Sequence, residues 1–157
     1  MSFHELIISD TSCLVNLERI EALCLLEQVF EKIIITKEVA MEFGKPIPEW
    51  IEIRNVSVRA TQELQKHGLD LGESSAIALA LELHEDYLLL LDDLKARTVA
   101  ARKNLKFIGL LGVLLRAKKQ GTIEKIKPYI ERLQEAGFRM SQNLIQEVLC
   151  QAGEMKK

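Results

Sequence analysis

The chain has 157 residues, of which 48% are apolar, and this suits one folded domain with a sizeable core rather than a disordered segment. No uncharged apolar stretch approaches the roughly 18 residues of a membrane span. The start, MSFHELIISD, lacks the basic region of a signal peptide. The three cysteines are scattered, without a CxxC or a Cys/His pair, so we expect reduced thiols, a cytoplasmic protein and no structural zinc site.

The formal net charge of −2 conceals an uneven distribution along the chain. Residues 1–94 carry a net charge of −11, whereas residues 95–119 contain eight basic side chains and no acidic one. Two solvated helix faces would explain this pattern, and so would a surface for a polyanion beside an acidic site. Aromatic residues make up only 5% of the chain, so stacking on bases is not the expected mode of contact.

The hydrophobic pattern alternates between strands and helices along the chain. The predicted strands are 5–9, 32–36, 50–56, 87–91 and 105–109. The predicted helices are about 11–20, 21–30, 37–44, 58–67, 70–86, 92–104, 110–121, 123–135 and 142–152. This alternation predicts an α/β fold: one domain over residues 1–157, a parallel sheet of about five strands covered on both faces, and a helical C-terminal tail at about 123–152.

Acidic residues follow two of these strands at the point where each strand ends. Asp10 follows the first strand, and Asp92 and Asp93 follow the fourth. Ligands of open parallel sheets bind outside the carboxyl ends of the strands. If the strand order is 3-2-1-4-5, the first and fourth strands are neighbours and these acids lie at one edge. Glu73, which opens the helix before strand four, and Glu42, which ends the helix after strand two, can approach the same edge.

Several converging carboxylates repel one another unless a cation is present. Mg²⁺ typically uses one or two carboxylates together with waters and phosphate oxygens, and it neutralises the phosphate and acidifies water. The sequence therefore indicates a divalent-metal site that acts on phosphate esters.

Each acid also has a purely structural interpretation. Asp10 and Asp93 can cap the helices that follow them. Glu73 can form a capping box with Asp70, because the pair has D-x-x-E spacing before an apolar run. Glu42 can be an ordinary surface acid.

Five segments, taken in order, resemble the PIN-domain family, and more narrowly a prokaryotic branch of predicted nucleic-acid-binding proteins related to VapC-type toxins. They are IISDTSCLVNLERI, IIITKEVAMEF, LDLGESSAIALALEL, LLLLDDLKARTVAARKNLKFIGLLGVLLRAKKQGTI and ERLQEAGFRMSQNLIQEVL. The resemblance covers nearly the whole chain. It implies an α/β/α sandwich and a ribonuclease site that depends on Mg²⁺ or Mn²⁺, possible pairing with an antitoxin protein, and possible homodimers.

The resemblance also assigns roles to residues. It implies that Asp10, Glu73, Asp92 and Asp93 are catalytic and that Asp10, Glu42, Asp92 and Asp93 bind metal. The basic residues expected to hold RNA are Lys95, Arg97, Arg102 and Lys103. Two positions depart from the family pattern: Ser75 stands where relatives often carry an acid, and Leu110 stands where they often carry a threonine. The alternative is a catalytically silent module that binds nucleic acid or protein.

Overall fold

The computed structural model describes residues 3–83 and 85–156. Its strands are β1 (Phe3–Ser9), β2 (Phe30–Thr36), β3 (Ile51–Arg54), β4 (Tyr87–Leu90) and β5 (Phe107–Ile108). They form a five-stranded sheet in the order β3-β2-β1-β4-β5, and every pair is parallel. The predicted parallel sheet and its 3-2-1-4-5 order are confirmed.

Helices cover both faces of the sheet. They are α1 (Thr11–Arg19), α2 (Cys24–Val29), α3 (Lys37–Phe43), α4 (Val58–Gln65), α5 (Leu71–Glu82), α6 (Leu94–Arg102), α7 (Leu110–Lys119), α8 (Lys127–Glu135) and α9 (Gln142–Gln151). Successive strand residues point to opposite faces. Ile7 therefore packs into the core beneath α1, α2 and α7 to α9, whereas Ile8 packs into a second core beneath α4, α5 and α6.

Three predicted helices are clearly shorter than expected. The prediction of a helix over 70–86 is wrong at its end, because α5 ends at Glu82. The prediction of a helix over 21–30 is wrong at both ends, because α2 begins at Cys24 and because Phe30 joins β2 and pairs with β1. The prediction of a helix over 123–135 is wrong at its start, because α8 begins at Lys127. Its first turn is held by the Glu154 carboxylate, which accepts hydrogen bonds from the backbone N–H groups of Ile126 (2.7 Å) and Lys127 (3.1 Å). A cap supplied from the far end of the chain leaves no local sequence signal.

The strand order positions the candidate site. β1 lies between β2 and β4, and Ser9 at its end is in register with Leu90 of β4. The residues that follow these two strands therefore emerge side by side. The expectation of one domain over 1–157 includes residues 1, 2, 84 and 157, which lie outside the described residues, and it stays a prediction.

Candidate metal centre

Asp10 and Asp92 meet at the carboxyl ends of the neighbouring strands β1 and β4. The backbone N–H of Asp10 donates to the Leu90 carbonyl, 3.2 Å away, which continues the pairing one residue past β1. Asp92 follows β4 after Leu91, whose own N–H bonds to the Ile108 carbonyl of β5. Hydrogen bonds of the sheet therefore fix the backbone at both residues, independently of the contacts that their side chains make.

The Asp10 side chain is almost completely buried, with only 1% of the residue exposed. Its Oδ1 accepts from the backbone N–H of Cys13 at 3.0 Å, which caps α1, and its Oδ2 accepts from the Ser12 hydroxyl at 3.2 Å. Burial raises the pKa of Asp10 from 3.8 to about 6, and the negative charge of Asp92 adds to that rise. The ionised carboxylate is therefore held in a place that disfavours its charge.

The Asp92 carboxylate is held by groups from three other segments. The backbone N–H of Leu110, at the start of α7, lies 3.3 Å from both carboxylate oxygens. The Cys13 thiol donates to Oδ2 at 3.2 Å, and the Arg97 guanidinium lies 3.6 Å from Oδ1. Burial raises the pKa of Asp92, although these three contacts oppose the rise.

Cys13 links the two carboxylates. Its N–H binds Asp10 and its thiol binds Asp92, and the whole residue is buried. Burial and the two neighbouring acids raise the pKa of the thiol well above its ordinary value, so it stays protonated and acts as a donor. The sequence analysis missed this role because it considered the cysteines only as reduced thiols. The position of Cys13 three residues after Asp10 was the available signal.

Glu73 and Asp93 lie near the same edge of the sheet. Asp70 caps α5 by accepting from the N–H of Glu73 at 2.8 Å, and Asp93 caps α6 by accepting from the N–H of Ala96 at 2.9 Å. Burial raises the pKa of Glu73 well above its ordinary value, and the charges of Asp70, Asp93 and Asp10 reinforce the rise. These contributions place Glu73 within electrostatic reach of both Asp93 and Asp10.

Glu42 lies to one side of this group. Its Oε1 accepts from the Thr11 hydroxyl at 2.5 Å, and a Cβ at Gly72 would overlap both side chains. A larger residue at position 72 would therefore have to displace the hydrogen-bonded side chains of Thr11 and Glu42. Among the described residues, no hydrogen bond joins Glu42 to Asp10 or Asp92. The structure brings Glu42 to the first turns of α1 and α5, beside rather than between Asp10 and Asp92.

A family model described as a PIN domain matches residues 6–154. The chain belongs to the PIN-domain family. No curated protein and no solved structure shows significant similarity to the chain. PIN domains are generally nucleases that use divalent metals, and the matched region includes every acid described above.

The acids of this PIN domain fit a hard divalent cation as a pair rather than as a larger cluster. Within residues 3–83 and 85–156, no group of three or more His, Cys, Asp and Glu side chains converges closely enough to hold a metal ion. Asp10 and Asp92 by themselves supply oxygen ligands that burial has partly stripped of water. Mg²⁺ commonly uses one or two protein carboxylates and completes its shell with water and phosphate oxygens.

The four basic residues singled out from the sequence of this PIN domain do not form one patch. Arg97 faces Asp92, and Lys95, two residues before it in the first turn of α6, is exposed with its amine beside Gly68. Arg102 and Lys103 are exposed at the opposite end of α6, about 12 Å from its first residue at roughly 1.5 Å per residue. The two pairs therefore lie at opposite ends of one helix.

Acidic partners engage much of the basic stretch 95–119. Besides the Arg97 contact with Asp92, the ion pairs are Lys106–Asp86, Arg116–Glu5 and Lys118–Glu154. Ion pairing within the fold therefore accounts for part of the positive charge that the sequence concentrates in this stretch.

The two departures from the family pattern have local explanations in this PIN domain. Ser75 is buried, its hydroxyl donates to the Gly72 carbonyl at 2.9 Å, and it lies 2.7 Å from the Thr36 hydroxyl. A serine there ties α5 to the start of α3. Leu110 has a buried side chain and contributes its backbone N–H to Asp92, a contact that any residue except proline can make.

No helix in the described part of the chain is long and apolar enough to cross a bilayer.

Proposed function

We propose that this PIN domain is a ribonuclease that hydrolyses RNA phosphodiester bonds with Mg²⁺ or Mn²⁺ held by Asp10 and Asp92. The observation that carries the proposal is that Cys13 donates hydrogen bonds to two acids from distant parts of the sequence, the buried Asp10 and the half-buried Asp92. Burial raises the pKa values of both carboxylates, and acids perturbed in this way are concentrated at functional sites.

The acidic and basic residues would have different roles in the hydrolysis of RNA. Asp10 and Asp92 would bind the ion, which when bound supplies the charge that neutralises the attacked phosphate and favours deprotonation of water. Glu73, whose pKa is raised, and Asp93 would orient the attacking water or take its proton. Glu42 would act from the side through Thr11. Lys95 and Arg97 would hold the phosphate chain near the site, and Arg102 and Lys103 would hold it farther along α6.

The biological setting that we propose is that of a toxin neutralised by an antitoxin protein. The support for it is the similarity of the sequence segments to the VapC-type branch.

The test is cleavage of an end-labelled RNA during a titration with Mn²⁺ or Mg²⁺. We expect metal-dependent cleavage that Asp10→Asn and Asp92→Asn each reduce by at least about a hundredfold, since each removes a negatively charged ligand. The matched control is Asp86→Asn, an acid that is exposed and lies apart from the site. Undiminished cleavage by the Asp10→Asn, Asp92→Asn double variant would contradict the proposal.

A catalytically silent binding module is the second candidate. Two observations favour it: Asp10 and Asp93 both act as helix caps, and Arg97 already lies beside the Asp92 carboxylate. This candidate predicts no binding of Mn²⁺ by isothermal titration calorimetry and no cleavage by the wild-type protein. Binding of RNA would remain.

A further inference from the structure

A cavity of about 420 Å³ opens beside Asp92. Its walls are mainly apolar: Phe107 comes from β5, Leu111 from α7, and Phe138 and Met140 from the segment that joins α8 to α9. This volume is in the range of sites that bind small molecules. Because Asp92 lies at its edge, the cavity is continuous with the candidate metal centre.

Arg97 forms a fixed flat surface on one side of this cavity. Its Nε donates to the Leu91 carbonyl at 2.7 Å, and its guanidinium lies over the Phe107 ring, 5.4 Å from the centroid, and 3.6 Å from Asp92. A third of the side chain, 33%, remains exposed. Guanidinium planes that are held in this way are surfaces on which nucleobases stack.

Arg139 provides a second cation in the lining of the cavity. It is exposed, it lies between Phe138 and Met140, and it has no ion-pair partner among the described residues. The cavity thus combines apolar walls with two arginines. A nucleotide has the matching chemistry, because its base is flat and largely apolar on its faces while its phosphates are negatively charged.

We propose that this cavity binds the base of the nucleotide next to the phosphodiester at Asp10 and Asp92, an inference that rests on the proposed function. The base stacks on the face of the Arg97 guanidinium, whose N–H edge faces the phosphodiester at Asp92, and Arg139 contacts the adjoining phosphate. The cavity would then position the RNA and contribute to the choice of nucleotide.

The low aromatic content of the chain predicts little base stacking. The fold changes this expectation because it concentrates two of the five phenylalanines, Phe107 and Phe138, around one cavity. Composition counts aromatic residues but does not place them.

The test uses the full chain in EDTA and follows backbone amides 107–112 and 138–144 by NMR. The protein is titrated with each of the four ribonucleoside 5′-monophosphates and, separately, with ribose 5-phosphate. We expect at least one nucleotide to shift both segments and to bind about tenfold more tightly than ribose 5-phosphate, because stacking on the base adds affinity.

Two variants target the cavity without disturbing the core. Leu144 lines the cavity and is 41% exposed, so Leu144→Glu places a negative charge in the cavity and should weaken nucleotide binding about tenfold. Arg139→Gln should weaken it by a similar factor. The matched control is Leu81→Glu, at a residue that is 45% exposed on α5, and it should leave binding unchanged.

Several outcomes would overturn the proposal. One is equal affinity for ribose 5-phosphate, which would reduce the site to a phosphate contact. Others are shifts confined to other segments, or unchanged binding by both cavity variants. A dimer that Leu144→Glu converts to monomers would show that a second copy of the chain covers the cavity. Because the measurement involves neither metal nor cleavage, its failure is distinct from failure of the nuclease assay.

Discussion

The substitution Asp10→Asn should make the metal-free protein more stable. Asp10 is buried, and its carboxylate is held by the N–H of Cys13 and the hydroxyl of Ser12, which are dipoles rather than cations. Asparagine has nearly the same shape and is an equally good helix N-cap, so the hydrogen bond from Cys13 can persist while the charge is removed. A residue kept for stability alone would give the opposite result.

The expected magnitude follows from the pKa of Asp10. The fold raises that pKa from 3.8 to about 6. Because the pKa of Asp10 is higher in the folded protein than in the unfolded chain, its contribution to the free energy of unfolding is highest below pH 3.8. That contribution falls as the pH rises to about 6 and Asp10 ionises. At about 1.4 kcal/mol per pKa unit, the ionised group costs roughly 1.5 kcal/mol at pH 5 and about 3 kcal/mol at pH 7.5. The neutral amide of the Asp10→Asn variant avoids this cost.

The assay is urea unfolding in EDTA at pH 5 and at pH 7.5, followed by the fluorescence of Trp50, the single tryptophan of the chain. Asp10→Asn should increase the free energy of unfolding more at pH 7.5 than at pH 5. Added Mg²⁺ should then stabilise the wild type, because it binds the folded state, and should have little effect on the variant. The control is Asp93→Asn, an exposed cap of α6 at which the same substitution should change stability little.

A loss of stability in Asp10→Asn at both pH values would refute this reasoning. So would a gain that is the same at pH 5 and pH 7.5, because a difference without pH dependence does not arise from the charge of Asp10. An equal response to Mg²⁺ in wild type and variant would remove Asp10 from the metal site.

Three further predictions concern the surroundings of Asp92. Gly109→Ala should reduce Mn²⁺ affinity, measured by calorimetry, about tenfold, since its Cβ would overlap the Asp92 carboxylate; unchanged affinity would show that the carboxylate can shift freely. Cys13→Ala should weaken Mn²⁺ binding severalfold and Cys13→Ser less so, because the hydroxyl can still donate. The affinity for RNA, measured in EDTA, should fall steeply as the salt concentration rises. Lys95→Gln should lower the slope of log K against log salt concentration by about 0.7. An unchanged slope in Arg102→Gln would confine the RNA contact to the end of α6 that lies near Asp92.

The placement of Asp10 and Asp93 could be predicted from the sequence. Each follows a run of buried β-branched or leucine residues and precedes a helix, so each had to lie where a strand ends and a helix begins. The structure gives Asp10 and Asp93 the capping contacts that such positions favour. The parallel sheet followed from the alternation of strands and helices, and its order fixed which strand ends are neighbours.

The contacts that hold Asp92 could not be predicted in the same way. The Cys13 thiol, the N–H of Leu110 and the guanidinium of Arg97 reach it from α1, α7 and α6. The Leu110 contact is made by the backbone, which is the same for every residue type except proline. Whether Glu42 approaches Asp10 and Asp92 also depends on how α3 packs against α5. In the structure its carboxylate accepts a hydrogen bond from Thr11.

By itself, the sequence determined which segments become strands and helices, because hydrophobic period and cap residues act over a few positions of the chain. It also determined that acids follow the first and fourth strands. Only the tertiary structure decided that Asp10 and Asp92 both accept hydrogen bonds from Cys13, and that Phe107 and Phe138 border one cavity. The physical reason is that desolvation, shared charge and cavity shape depend on atoms brought together by packing, which no local pattern encodes.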